Sequence, residues 1–131
     1  MAEAAGADLF ISIHLNSTDN EDKENIQGIE VYYDKKRKDG SNKLASYVLK
    51  AAVAATGAKN RETRDGNALI VLNSSNVPAI LVECGFISSN EECLKLVDPD
   101  YQKLLTQGIA NGIYEFMPPV PVQEESGQAT E

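Results

Sequence analysis

Tryptophan is absent, and aromatic residues make up only 6% of the 131 positions. A core built from this chain is therefore aliphatic. Histidine occurs once, as His14, so no site within these residues can use two imidazoles. Cysteine occurs twice, at Cys84 and Cys93. Their spacing matches neither a CxxC pair nor a zinc ribbon. Buried free thiols are the favoured reading, because free cysteine is among the most buried residue types; a disulfide stays open. No run approaches the ~20 apolar residues of a membrane span. No basic segment followed by an apolar one marks a signal peptide, and no internal repeat is found. Positive charge is also short: 12 Lys and Arg stand against 20 Asp and Glu, a net charge of −8. That balance lacks the basic footprint of non-specific nucleic-acid binding and of docking on anionic lipid.

What is present is enough for one globular domain. The apolar share is 42% over 131 residues, sufficient for one core and too little chain for two. Ala-rich residues 1–7 read as the end of a helix, with Gly6 as its C-cap. Asp8 to Leu15 (DLFISIHL) is nearly continuous in apolarity and predicts a strand buried on both faces. Asn16 to Gly28 is a polar loop, Ile29 to Tyr33 (IEVYY) a second strand, and Asp34 to Gly40 a charged turn.

Ser41 is a candidate N-cap for a helix from about Asn42 to Thr56. Leu44, Tyr47, Val48, Ala51, Ala52 and Ala55 give that helix one apolar face. Lys59 to Asn67 reads as a charged loop and Ala68 to Leu72 as a strand. Ala79 to Glu83 (AILVE) is another buried strand, with Gly85 permitting a sharp exit. A short helix follows from Glu91 to Val97, capped by Ser89 or Asn90. The last helix runs from about Tyr101 to Phe116, with Leu104, Leu105, Ile109, Ile113 and Phe116 as its stripe. Prolines 118, 119 and 121 stop it, and residues 122–131 have the composition of a disordered tail. Strands alternating with helices predict an α/β domain, with functional groups at the carboxyl ends of strands.

Two residues occupy such ends. His14 closes the first strand and Glu83 the last. Imidazole titrates near neutrality and serves as a metal ligand or a base; a structural His at a sheet edge is the plainer alternative. A carboxylate abutting AILV is partly desolvated, which raises its pKa and suits it to proton transfer. The alternative for Glu83 is a salt bridge or backbone hydrogen bonds. Glu30, inside IEVYY, either faces the same pocket or lies on the solvent side of its strand. Arg61, Arg64 and Asp65 read first as solvated charge and second as substrate-facing.

At these positions the chain resembles the zinc-dependent N-acetylmuramoyl-L-alanine amidases of the Amidase 3 type. ADLFISIHLNS, from Ala7 to Ser17, is similar to the family's SIHxN segment. GIEVYY, from Gly28, is similar to its following strand, and PAILVECGFISSN, from Pro78, to its PAxLVExGFxSN stretch. DPDYQKLLTQGIANGI, from Asp98, is similar to its closing helix. The resemblance covers about residues 3–117.

The resemblance implies an α/β sheet flanked by helices, with His14 as a zinc ligand and Glu83 as the catalytic carboxylate. Asn16 and Glu30 become candidates for holding substrate. It implies hydrolysis of the amide between N-acetylmuramic acid and L-alanine of the stem peptide by zinc-activated water, peptidoglycan as partner, and a place of action outside the cell or in the wall or periplasm. The family's DPGHGG-type loop and its following ligand Glu have no counterpart in this sequence. The resemblance therefore implies that the N-terminal strand and helix of the family domain, with the other zinc ligands, lie upstream of residues 1–117, through truncation or a mis-started reading frame. Residues 118–131 then form an acidic tail or linker. An unpaired sheet edge, exposed apolar surface and self-association are expected to follow. Two alternatives stay open: a non-catalytic remnant or peptidoglycan-binding or regulatory piece with the same fold, and a zinc peptidase of different fold.

Overall fold

A computed structural model describes residues 5–121. Four strands form one sheet: β1 (Phe10–Asn16), β2 (Ile29–Tyr33), β3 (Asn60–Asp65) and β4 (Ala79–Phe86). Their spatial order is β1-β4-β2-β3. β1 runs parallel to β4 and β2 parallel to β3, while β2 and β4 are antiparallel. The helices are α1 (Ser41–Thr56), α2 (Ile70–Asn73), α3 (Asn90–Leu96) and α4 (Pro99–Phe116). This is the expected α/β architecture, a mixed sheet flanked by helices.

One sheet face carries the main core. Ile29 and Val31 of β2 and Ile80, Val82 and Cys84 of β4 pack with Leu44, Val48 and Ala52 of α1 and Leu105 and Ile109 of α4. The alternation of side chains along a strand sends every second residue of AILVEC to this face. α1 and α4 approach closely because Gly108 and Gly112 carry no side chain. A Cβ on Gly112 would collide with the backbone of Val48, and one on Gly108 would lie 2.8 Å from Ala52 Cα. On the opposite face a smaller cluster joins Leu72 of α2, Ala79 and Leu81, with Phe10 and Tyr32 against it.

The α1 start is built by Asp39. Its Oδ1 accepts from Ser41 N at 3.2 Å and from Ser41 Oγ at 2.7 Å. Gly40 is the N-cap, so Ser41 is the first residue of the helix rather than its cap. Its hydroxyl turns inward and accepts from Ala79 N at 3.0 Å, tying α1 to β4. Ser89 and Asp98 cap α3 and α4 with their side chains.

Several expectations are corrected. Lys59 to Asn67 is not a loop, since Asn60–Asp65 forms edge strand β3. Its charge is compatible with a strand because one side of an edge faces water. The run expected as a strand at Ala68 to Leu72 contains instead the start of α2, whose Leu72 is buried while Ile70 is 76% exposed. β1 is not buried on both faces: Ile13 is 62% and Leu15 54% exposed, because among the described residues β4 is its only sheet neighbour. Ile13 borders a shallow apolar groove with Leu105, Ile109 and Ile113. Leu104 leaves the α4 stripe and is half-exposed. Cys84 is buried and Cys93 half-buried, both as free thiols. Gly6 adopts φ +68, as a C-cap would; residues 1–4 and the tail expected at 122–131 lie outside the described residues.

Candidate functional site

Strand register assembles the polar face. His14 on β1 lies opposite Glu83 on β4, and Glu83 lies opposite Glu30 on β2. Directly opposed residues share a face with Cβ atoms about 5 Å apart. One imidazole and two carboxylates thus form a row across three strands. The row sits one step beyond the small apolar cluster under α2, so Leu81 and Tyr32 wall it on one side. His14 is exposed, Glu83 half-buried and Glu30 buried.

Each member of the row has different company. Ser12 Oγ lies 2.6 Å from His14 Nε2, a contact that the period of two along β1 makes possible. Glu30 is fully engaged. Its Oε1 accepts from Asn16 Nδ2 at 2.8 Å, and its Oε2 meets Arg61 Nε at 3.2 Å and Arg64 at 3.1 Å. Glu83 has no such partner: its Oε2 is buried without a hydrogen bond. Burial pushes the Glu83 carboxyl above the usual carboxylate range; His14 pulls it down and Glu30 adds to the rise. The neighbouring Cys84 thiol faces the core and is pushed up to about 11 by burial and by Glu83. An unpartnered buried carboxylate oxygen costs on the order of 1–3 kcal/mol, so Glu83 does not stabilise the fold through this atom.

The end of β4 is fixed by a residue that sequence reading placed only within the helix that follows. Glu92 is 4% exposed and accepts from Phe86 N at 2.6 Å and from Gly28 N at 2.9 Å. It joins the exit of β4 to the entry of β2, and so holds Glu83 and Glu30 in register. Gly85 leaves room for it, since a Cβ there would lie 3.0 Å from the Glu92 carboxyl.

Arg61 and Arg64 reach Glu30 through a β-bulge. From Ile29 to Val31 the partner strand advances from Asn60 to Thr63, one residue more than a regular ladder allows. Glu62 takes the extra place at φ 71, a left-handed conformation that costs a non-glycine residue about 1 kcal/mol. Residues three apart on a strand normally face opposite ways; the bulge turns both arginines to the row. The Arg61 guanidinium also lies 5.1 Å from the centre of the Phe86 ring. Sequence reading took these arginines first as solvated loop charge and second as substrate-facing, and did not pair them with Glu30.

The structure therefore brings His14, Glu83, Glu30 and Asn16 together on one face. Among the described residues, no group of three or more His, Cys, Asp or Glu side chains is placed to hold a metal ion. One imidazole beside one free carboxylate falls short of the three protein ligands of a catalytic zinc. By themselves these residues do not fit a resident zinc.

Comparison with known proteins identifies the family. Residues 1–115 match the family model described as N-acetylmuramoyl-L-alanine amidase, Amidase_3. The chain belongs to that family. It is 32% identical over 116 residues to N-acetylmuramoyl-L-alanine amidase LytC of Bacillus subtilis, a match spanning 88% of this chain and 23% of that protein. It is equally identical over the same length to the uncharacterized protein YqiI of Bacillus subtilis, of which it spans 54%. Among solved structures, the N-acetylmuramoyl-L-alanine amidase from Clostridium difficile 630 superposes with a TM-score of 0.82 at 37% identity, covering 90% of this chain and 63% of that one. Amidase AmiC2 of Nostoc punctiforme gives 0.80 at 34% identity, covering 90% and 62%. The chain thus spans less than two thirds of each of these proteins.

Proposed function

We propose that this chain takes part in hydrolysis of the amide between N-acetylmuramic acid and L-alanine of the peptidoglycan stem peptide, with Glu83 as the catalytic carboxylate. The observation that carries this is Glu83 itself: a buried, unpartnered carboxylate oxygen at a strand end, in register with the chain's one histidine. Its raised pKa suits a group that takes a proton from attacking water and hands it to the leaving amine. Glu30, clamped by Arg61, Arg64 and Asn16, places negative charge beside Glu83 and favours its protonated form. Asn16 and Glu30 are the candidates for orienting substrate.

His14 would be one zinc ligand, its ring steadied by Ser12, with the remaining donors supplied from outside these 131 residues. A bound zinc ion would acidify water and polarise the carbonyl. The place of action is the cell wall, as the name of a relative, probable cell wall amidase LytH of Staphylococcus epidermidis, suggests. No helix among the described residues is long and apolar enough to cross a membrane.

The test is amide cleavage in purified sacculi with zinc supplied, comparing the protein with its Glu83→Gln variant. Loss of a general acid–base group lowers the rate by roughly 10²- to 10⁴-fold, while binding to sacculi is retained. Cleavage unchanged in the variant would remove Glu83 from this role. Among the described residues no three-donor cluster forms, which favours a second reading, a peptidoglycan-binding piece without catalysis. Binding without cleavage by the unaltered protein would select it.

A further inference from the structure

Glu30 holds two arginines. Both guanidinium groups meet the same oxygen, Oε2, while Oε1 is taken by Asn16. Two cations share one carboxylate oxygen, on a chain whose net charge is −8. Arg61 is held down, 24% exposed and over Phe86. Arg64 is 44% exposed and spends its Nε on the Arg61 carbonyl. A guanidinium has five N–H donors, so Arg64 keeps donors beyond these contacts on a partly exposed side chain.

We propose that Arg64, backed by Arg61, is a carboxylate-binding subsite that selects anionic stem peptides. This rests on the amide-hydrolysis reading and names its substrate class. The placement fits. Glu30 is the cross-strand neighbour of Glu83, and β3 lies one strand further out, so Arg64's head sits within about 10 Å of the Glu83 carboxylate by strand spacing. Two extended residues span about 7 Å. A peptide whose first amide lies at Glu83 therefore brings the α-carboxylate of its second residue to Arg64. The planar fork of arginine matches a carboxylate and not a carboxamide. The bulge at Glu62 supports the assignment: a strained residue re-aims two arginines towards the site, and such features concentrate where function needs them.

The probes are N-acetylmuramoyl-L-alanyl-D-isoglutamate and its isoglutamine counterpart, identical except for carboxylate against carboxamide at that position. Their dissociation constants for the 131-residue chain are read by NMR titration. The acid is expected to bind roughly tenfold tighter. Arg64→Gln abolishes the difference by weakening the acid alone, and Arg64→Lys restores part of it. Equal binding of the two probes, or equal weakening of both by Arg64→Gln, overturns the subsite and leaves the hydrolase reading standing. If neither probe binds, both fall together.

Discussion

The two faces of the sheet are made by neighbouring residues and obey opposite rules. Val82 points to α1 and α4, is fully buried and has only apolar company. Glu83, one residue on, points the other way and carries an oxygen with no partner. On the helix side the side chains of α1, α4, β2 and β4 pack together, and the buried Ser41 hydroxyl has both a donor and an acceptor. On the open side polar groups gather, and one carboxylate oxygen is left without a partner. The lesson is that a period of two lets one strand hold stability and chemistry at successive residues without compromise between them.

That division breaks if substitutions on the two faces behave alike. The largest effect is expected at Gly112. Helix propensity alone favours alanine there by about 1 kcal/mol, but a Cβ would collide with the Val48 backbone. Overpacking prevails, and Gly112→Ala lowers stability by about 2 kcal/mol in urea unfolding. A more stable variant would show that α1 and α4 have slack between them.

The open face should answer with the opposite sign. Glu83→Gln is expected to raise stability by about 1 kcal/mol at neutral pH without added metal, because it removes a buried charge that lacks a partner. The sign with pH follows from the raised carboxyl pKa. The folded state holds this proton more tightly than the unfolded chain, so ionisation costs stability as pH rises through the folded pKa. The gain from Gln therefore shrinks in acid. A melting series from pH 4 to 8 checks it, and a destabilised variant at neutral pH would mean the carboxylate is satisfied after all.

The smallest effect belongs to Asp39, the polar joint of the helix side. Burial alone would raise its pKa, but hydrogen bonds from Ser41 and Arg37 outweigh this and hold it below the usual range. Asp39→Asn is expected to cost about 0.5–1 kcal/mol at pH 7. Here the linkage runs the other way: the contribution is present above the unfolded pKa and is lost as pH falls through the folded one. A cost that persists unchanged at pH 3 would sink this account.

Much of this was legible in the sequence. The strands at AILVE and IEVYY, the cap at Ser89, and the strand-end positions of His14 and Glu83 all follow from local pattern. What pattern could not give depends on neighbours. NRETRD became a strand because β2 offers it a ladder, and no apolar alternation announces an edge that faces water. ALIVL has strand composition, yet only a single turn is needed to drop Leu72 onto Leu81. The Glu30 clamp was hidden because Arg61 and Arg64 have the wrong spacing to share a face until a bulge intervenes. The half-exposed β1 reflects how many strands lie beside it, which its own residues do not encode.

The spatial order of the strands also has a consequence in time. β1 is the first of the four strands in sequence, yet it docks on β4, the last of them. Closing a loop from position 14 to position 83 costs entropy that local contacts do not repay. α1, β2 and β3 can associate before that closure; the His14–Glu83 pair cannot exist until it is complete. A face wired this way is absent from nascent and half-folded chains, and is assembled only when the sheet closes.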